Sequence, residues 1–220
     1  MVANQRGSAL PGGQGVKKVT VFEHAMLGVT ATTAAGLDRR YGWPVVAAAG
    51  VVSLLPDWDG LALVFGAAAF DKAHRVWGHS LLTAGLLGAA FMVAAARWRL
   101  AQRAVRLVRP VPREEPPAGP PAPAELLVWA VLGVVLSWLH LAADLVYSGH
   151  DVLPDWGLQL FWPFSDRSLA FPLVPWGDVG TTLIFVVGMF ALVRWPRRSQ
   201  GVGLATLAAV IAYIVIRGIG

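Results

Sequence analysis

His140 and Asp144 stand at i and i+4 in Leu139-His140-Leu141-Ala142-Ala143-Asp144, inside an otherwise apolar stretch. Residues at that separation share one helix face, with Cβ atoms roughly 5–6 Å apart. An imidazole nitrogen and a carboxylate oxygen placed so can grip one cation. The plainer alternative is a His–Asp hydrogen bond that satisfies two buried groups. A carboxylate inside a membrane costs around 2.5–3.5 kcal/mol on insertion scales, and such residues usually line functional cavities. That cost favours metal binding. Asp57-Trp58-Asp59 follows Pro56, which disfavours helix at the residue before it. In an extended turn, residues i and i+2 point the same way, so both carboxylates could meet one cation. A D-x-D on its own is more often a solvated turn, but this one closes an apolar run.

His74-Arg75-Val76-Trp77-Gly78-His79-Ser80 adds two imidazoles around a cationic side chain. Its bland reading is an interfacial segment, with Trp77 in the aromatic belt and Ser80 capping the next helix. The sharper reading makes His74 and His79 ligands and Arg75 an anion clamp, because a guanidinium donates two parallel hydrogen bonds to a phosphate. Glu23-His24 could supply a general base and a further ligand, although either residue alone reads as merely interfacial. His150 and Asp151 lie in a Gly-containing loop and are expected to be spectators.

The candidate ligands are His24, Asp57, Asp59, His74, His79, His140 and Asp144. They exceed the four ligands of a closed zinc site. They would suffice for one metal with outer partners, or for two metals bridged by a carboxylate or hydroxide. The mixed nitrogen and oxygen set fits Zn, Mn, Fe or Ni and disfavours Ca or a soft metal. With no cysteine in the chain, thiolate zinc sites, disulfide frameworks and cysteine nucleophiles are excluded.

The elements that must position these residues are apolar. Of 220 residues, 56% are hydrophobic and 14% charged, against about 45–50% and about 25% for a typical soluble domain. This excludes a disordered tail, a collagenous repeat and an ordinary cytosolic enzyme. Apolar runs cover 19–37, 43–55, 61–70, 80–96, 125–147, 179–193 and 202–216. A full span takes about 17–25 residues, which 125–147 meets comfortably, while the shorter runs suit tilted, re-entrant or bundle-buried segments. The expectation is an all-α polytopic integral membrane helix bundle with about six crossings and one short or re-entrant segment, 61–70. Residues 1–18 read as a flexible lead without a signal-peptide layout. Residues 19–108 form a first membrane half, and 125–220 a second. Between them lies a Pro-rich linker, 109–124, with seven prolines from Arg109 to Pro123.

The net charge of +5 would suggest nucleic acid in a soluble chain, but here it fits cytoplasmic loops. Arg39 and Arg40 follow the first run, Arg97 to Arg113 the fourth, and Arg194, Arg197 and Arg198 the sixth. Placing these clusters inside puts 11 of the 18 Lys and Arg there, although Lys17 and Lys18 then fall outside. His24, Asp57, Asp59, His74, His79, His140 and Asp144 then gather at one, non-cytoplasmic face. Nucleic acid is not expected as a partner, since the basic run abuts a membrane helix and lipid headgroups explain it.

Together these segments resemble the YdjM-type family of inner-membrane, metal-dependent hydrolases, some members of which are described as LexA-binding. The resemblance rests on His24, Leu55-Pro56-Asp57-Trp58-Asp59, His74-Arg75, Gly78-His79-Ser80-Leu81, His140-Leu141-Ala142-Ala143-Asp144 and Phe161-Trp162-Pro163-Phe164-Ser165. It extends over roughly Val19 to Phe171, leaving out the Pro-rich segment and the final helix. It implies a hydrolase in the bacterial cytoplasmic (inner) membrane. On that basis the expected activity is hydrolysis of a lipid-type ester or phosphoester through a metal-activated water, with one or two divalent ions, zinc first. Arg75 would stabilise developing negative charge, and Glu23 would transfer protons. Trp156, Trp162 and Trp176 crowd the nearby loop and favour membrane lipid as substrate. A non-enzymatic transporter, or a metal-binding scaffold recruiting a soluble regulator through 97–113, is the alternative.

Overall fold

A computed structural model describes residues 21–108, 120–147, 156–175 and 178–219. The N-terminal lead, most of the Pro-rich linker, His150, Asp151 and Trp176 lie outside these residues. The elements are α1 (Val21–Ala34), α2 (Leu37–Tyr41), α3 (Trp43–Val52), a 3-10 segment (Leu55–Phe65), α4 (Ala67–Ala73), α5 (Leu81–Trp98), α6 (Leu100–Val108), α7 (Pro123–Val146), α8 (Gly180–Arg194), a short 3-10 turn (Pro196–Arg198) and α9 (Ser199–Ile219). Among the described residues there are no strands beyond two isolated bridges.

Three helical stretches are long and apolar enough to cross a membrane: Leu81–Trp98, Pro123–Val146 and Pro196–Ile219. A fourth is the bent pair Trp43–Val52 and Leu55–Phe65, if its 41° break is bridged as one span. Helix α8 is apolar but shorter. By length and composition the molecule therefore has three to four candidate spans. The apolar run 61–70 is not one unit. It is split at Gly66, whose φ of 102° is left-handed backbone that glycine adopts without a Cβ penalty.

Small residues let the helices touch. A methyl group on Gly133 of α7 would come within 2.2 Å of the Gly88 carbonyl oxygen of α5. One on Gly28 of α1 would meet the Ala49 carbonyl oxygen of α3 at 2.4 Å. Lipid tails offer no hydrophobic drive for helices to associate, so close backbone packing through small residues provides the attraction. Beside these contacts lies a core of Val45, Ala49, Val52, Met92, Trp129 and Leu136. Two buried threonines on α1 are satisfied within their own helix, Thr30 Oγ1 donating to Met26 O at 2.7 Å and Thr33 Oγ1 to Val29 O at 3.0 Å.

The two halves of the sequence interlock. Helix α5 packs most extensively on α7, and α1 on α9. Ser199 Oγ donates to Asp38 Oδ2 at 2.5 Å at one end of the α1–α9 pair. At the other end of α9, Arg217 Nε lies 3.2 Å from Asp178 Oδ2, just before α8. Ser80 caps α5 as its position suggests, its Oγ accepting from Thr83 N at 3.1 Å.

Candidate metal centre

Four segments converge at one end of the bundle: the first turn of α1, the 3-10 segment, the 74–80 connection and the last two turns of α7. His140 and Asp144 do share a face of α7, with His140 Nε2 3.4 Å from Asp144 Oδ2. His79 Nε2 lies 3.2 Å from the same oxygen and 3.4 Å from His140 Nε2. Asp57 Oδ1 completes the group, 3.5 Å from His79 Nε2 and 3.7 Å from His140 Nε2. The His79, His140 and Asp144 side chains are at most 5% exposed, whereas Asp57 is 35% exposed. The cluster therefore opens to its surroundings on the Asp57 side.

The outer ring nitrogens decide what the inner ones can do. His140 Nδ1 is 2.7 Å from the Ser53 carbonyl oxygen, which can only accept, so the ring proton sits on Nδ1. His79 Nδ1 is 2.8 Å from Asp59 Oδ2, and its proton is likewise drawn to Nδ1. In the neutral rings both Nε2 atoms are then bare lone pairs, facing each other and two carboxylates. With both rings neutral these four acceptors repel, and either a metal ion between them or a second proton on His79 Nε2 relieves the repulsion. Metal–ligand bonds of about 2.0–2.2 Å put the ligand atoms of a tetrahedron about 3.3–3.6 Å apart, and the five separations above bracket that range. Burial disfavours a charged His79, yet hydrogen bonding to Asp144, Asp57 and Asp59 outweighs it and lifts this imidazole well above its ordinary pKa. The centre thus attracts positive charge.

Asp59, His74 and His79 form a second group of metal-ligand type, but their spacing is different. His74 Nδ1 to Asp59 Oδ1 is 2.8 Å, as is His79 Nδ1 to Asp59 Oδ2, and Gly78 N donates to Asp59 Oδ2 at 3.1 Å. These are hydrogen-bond lengths. Asp59 is fully buried and grips the far side of His79. The expected extended turn at 57–59 is instead 3-10 helix. With three residues per turn, Asp57 and Asp59 diverge and address opposite nitrogens of the one ring.

The other candidates surround Asp144. His24 Nε2 and Arg75 Nη2 approach its Oδ1 at 3.4 and 3.3 Å, leaving Oδ2 directed at the two imidazoles. The His24 ring stacks on His140 with centroids 3.8 Å apart. Arg75 is buried and has φ of 66°, a left-handed conformation that is costly for a side chain of this size and concentrates at functional sites. Its guanidinium donates to Trp156 O at 2.5 Å, and its own carbonyl accepts from Gln159 N at 3.1 Å. Glu23 faces elsewhere, accepting from Thr182 Oγ1 on α8. Ser53 escaped the sequence reading, and Trp156 was read only for its indole, because each contributes a main-chain carbonyl, for which side-chain identity carries no signal.

A helical membrane protein with a buried imidazole–carboxylate centre near one end of its spans is the class this architecture defines. The chain belongs to the YdjM inner membrane protein family, whose profile matches residues 19–220. The match takes in the Pro-rich segment and the final helix, both of which the motif resemblance had left out. No curated protein and no solved structure matches the chain.

Proposed function

We propose that the protein is a membrane-embedded, metal-dependent hydrolase acting on a lipid-type ester or phosphoester. The observation that carries this reading is the pair of imidazoles with committed Nδ1 atoms, whose Nε2 atoms face each other and Asp144 beside a carboxylate open to the surroundings. His79, His140 and Asp144 would hold one divalent cation, zinc by donor type, with Mn, Fe or Ni as alternatives. Three protein ligands and one open position are the pattern of catalytic zinc. When bound, such an ion supplies Lewis acidity and makes water ionisable near neutral pH.

The chain's own residues do the rest. Asp57, slacker and partly exposed, takes a proton from the attacking water, a role for which it is better placed than Glu23. Asp59, itself held by His74, fixes the tautomer and ring plane of His79. Arg75 and His24 aim Asp144, and the fixed charge of Arg75 offsets negative charge growing on the substrate oxygen. Six crossings follow if α1 and α8 traverse as short helices beside α9, with Arg39, Arg97 and Arg194 at the cytoplasmic ends and the centre toward the other face.

Elemental analysis of detergent-purified protein, paired with ester and phosphodiester assays in mixed micelles, tests this. Stoichiometric metal with hydrolysis is expected, lost together in Asp144→Ala, which still inserts. Asp57→Asn should keep the metal and lose at least about 100-fold in rate, within the range for proton-transfer catalysis. A metal-free wild type overturns the centre. The second reading is a structural metal site in a scaffold, favoured by Asp57 standing near enough to close a four-ligand set. It gains if Asp57→Asn loses the metal and the wild type hydrolyses neither probe.

A further inference from the structure

The 3-10 segment does not end at the metal centre. After Asp59 and Gly60 it continues as Leu61-Ala62-Leu63-Val64-Phe65, turns at Gly66 and returns through α4 to Asp71, Lys72 and His74. From Leu61 to Phe70 no residue is polar. The tip is bare: Val64 is 81% and Phe65 84% exposed, and a methyl group on Gly66 would meet nothing within 4 Å. Charge returns only at the root of the hairpin, with Asp59 and His74 tied at 2.8 Å on one side and exposed Asp71 and Lys72 on the other. Trp58 and Trp77 stack edge to face at this root, with centroids 4.0 Å apart. Indoles and a lysine at the base of an apolar projection are the side chains that favour the membrane–water boundary. The same segment passes as membrane-spanning only together with α3, so the tip continues an apolar stretch long enough to cross.

We propose that the 61–66 tip lies among the acyl chains of the leaflet on the metal side, and that lipid reaches the centre sideways along it, past Asp57. In a 3-10 helix, rising about 2 Å per residue, Asp57 sits about 8 Å from Leu61 on the same rod. A chain lying on the tip therefore brings its head toward the exposed carboxylate. The lateral route rests on the hydrolase reading. The placement of the tip does not.

The cysteine-free sequence allows nitroxide labels at single introduced cysteines. Phe65→Cys, Val64→Cys, Val187→Cys on the apolar face of α8 and Lys72→Cys would be placed in vesicles of phosphatidylethanolamine and phosphatidylglycerol. Labels at 64 and 65 should collide with oxygen as the label at 187 does, and be shielded from a water-soluble nickel chelate. Nickel accessibility at 65 equal to that at 72 overturns the placement. For the route, Val64→Asp/Phe65→Asp should retain metal and unchanged turnover of a water-soluble phosphodiester, while hydrolysis of vesicle phospholipid falls at least 10-fold. An equal loss on both substrates, or on neither, overturns lateral delivery. A wild type inactive on both overturns the hydrolase reading and the route with it, and the labels still decide the placement.

Discussion

At the scale of single residues, the centre is organised by which oxygen each ring proton meets. Asp59 and the Ser53 carbonyl occupy the two Nδ1 atoms, so the Nε2 atoms have no freedom to exchange roles. Asp59→Ala should therefore weaken metal affinity about 10–100-fold, the usual cost of losing an outer partner, without changing the ligand set. Competitive chelator titration of the purified protein measures it, and unchanged affinity would remove Asp59 from the positioning role. Gly78 offers a second approach to the same contact. A methyl group there would sit 2.4 Å from Pro56 O and 2.7 Å from the Asp59 carboxylate, so Gly78→Ala should reproduce the Asp59→Ala loss. Most of this chemistry was readable as residue types: the H-x-x-x-D pair is where helical spacing puts it. The division of labour between Asp57 and Asp59 was not. It depends on whether the chain after Pro56 is extended or 3-10, and the local residues permit both.

The elements show the same split between pattern and context. The six longer apolar runs each became a helix, with ends shifted by a few residues, because a hydrophobic stretch in lipid must satisfy its backbone internally. The break between α3 and the 3-10 segment was marked by Pro56, but the bend at Ser53-Leu54 was not, and the Ser53 carbonyl matters only once α7 lies beside it. The α5–α7 contact is the element-scale hinge of the site, for His79 precedes one helix and His140 rides on the other. Gly133→Val would force backbone from backbone at a 2.2 Å approach. Overpacking typically costs about 1–3 kcal/mol. Thermal unfolding in detergent should shift downward, and metal content should fall with it. A variant that unfolds early yet keeps full metal occupancy would show that the two helices do not set the distance between the imidazoles.

Across the whole molecule, the centre is a clasp on one part of the bundle. His24, Asp57, His79 and His140 come from α1, the 3-10 segment, the 74–80 connection before α5, and α7, whereas α8 and α9 contribute no group to it. Those two helices are held separately, through Asp178 with Tyr213 at 2.6 Å and Arg217 at 3.2 Å. A ligand bound only by the native state stabilises it by about 2.7 kcal/mol at 100 times its dissociation constant. Stripping the proposed metal should therefore destabilise the molecule unevenly. Hydrogen exchange after chelation is expected to accelerate in 55–65, 74–81 and the last turns of α7. The α8–α9 pair should keep its protection, because its most extensive packing outside the pair is on α1, which reaches the centre only through His24. Restoring the metal should reverse the change. Uniform acceleration across all helices would mean that the bundle unfolds as one unit around the metal, and that the α8–α9 pair has no stability of its own.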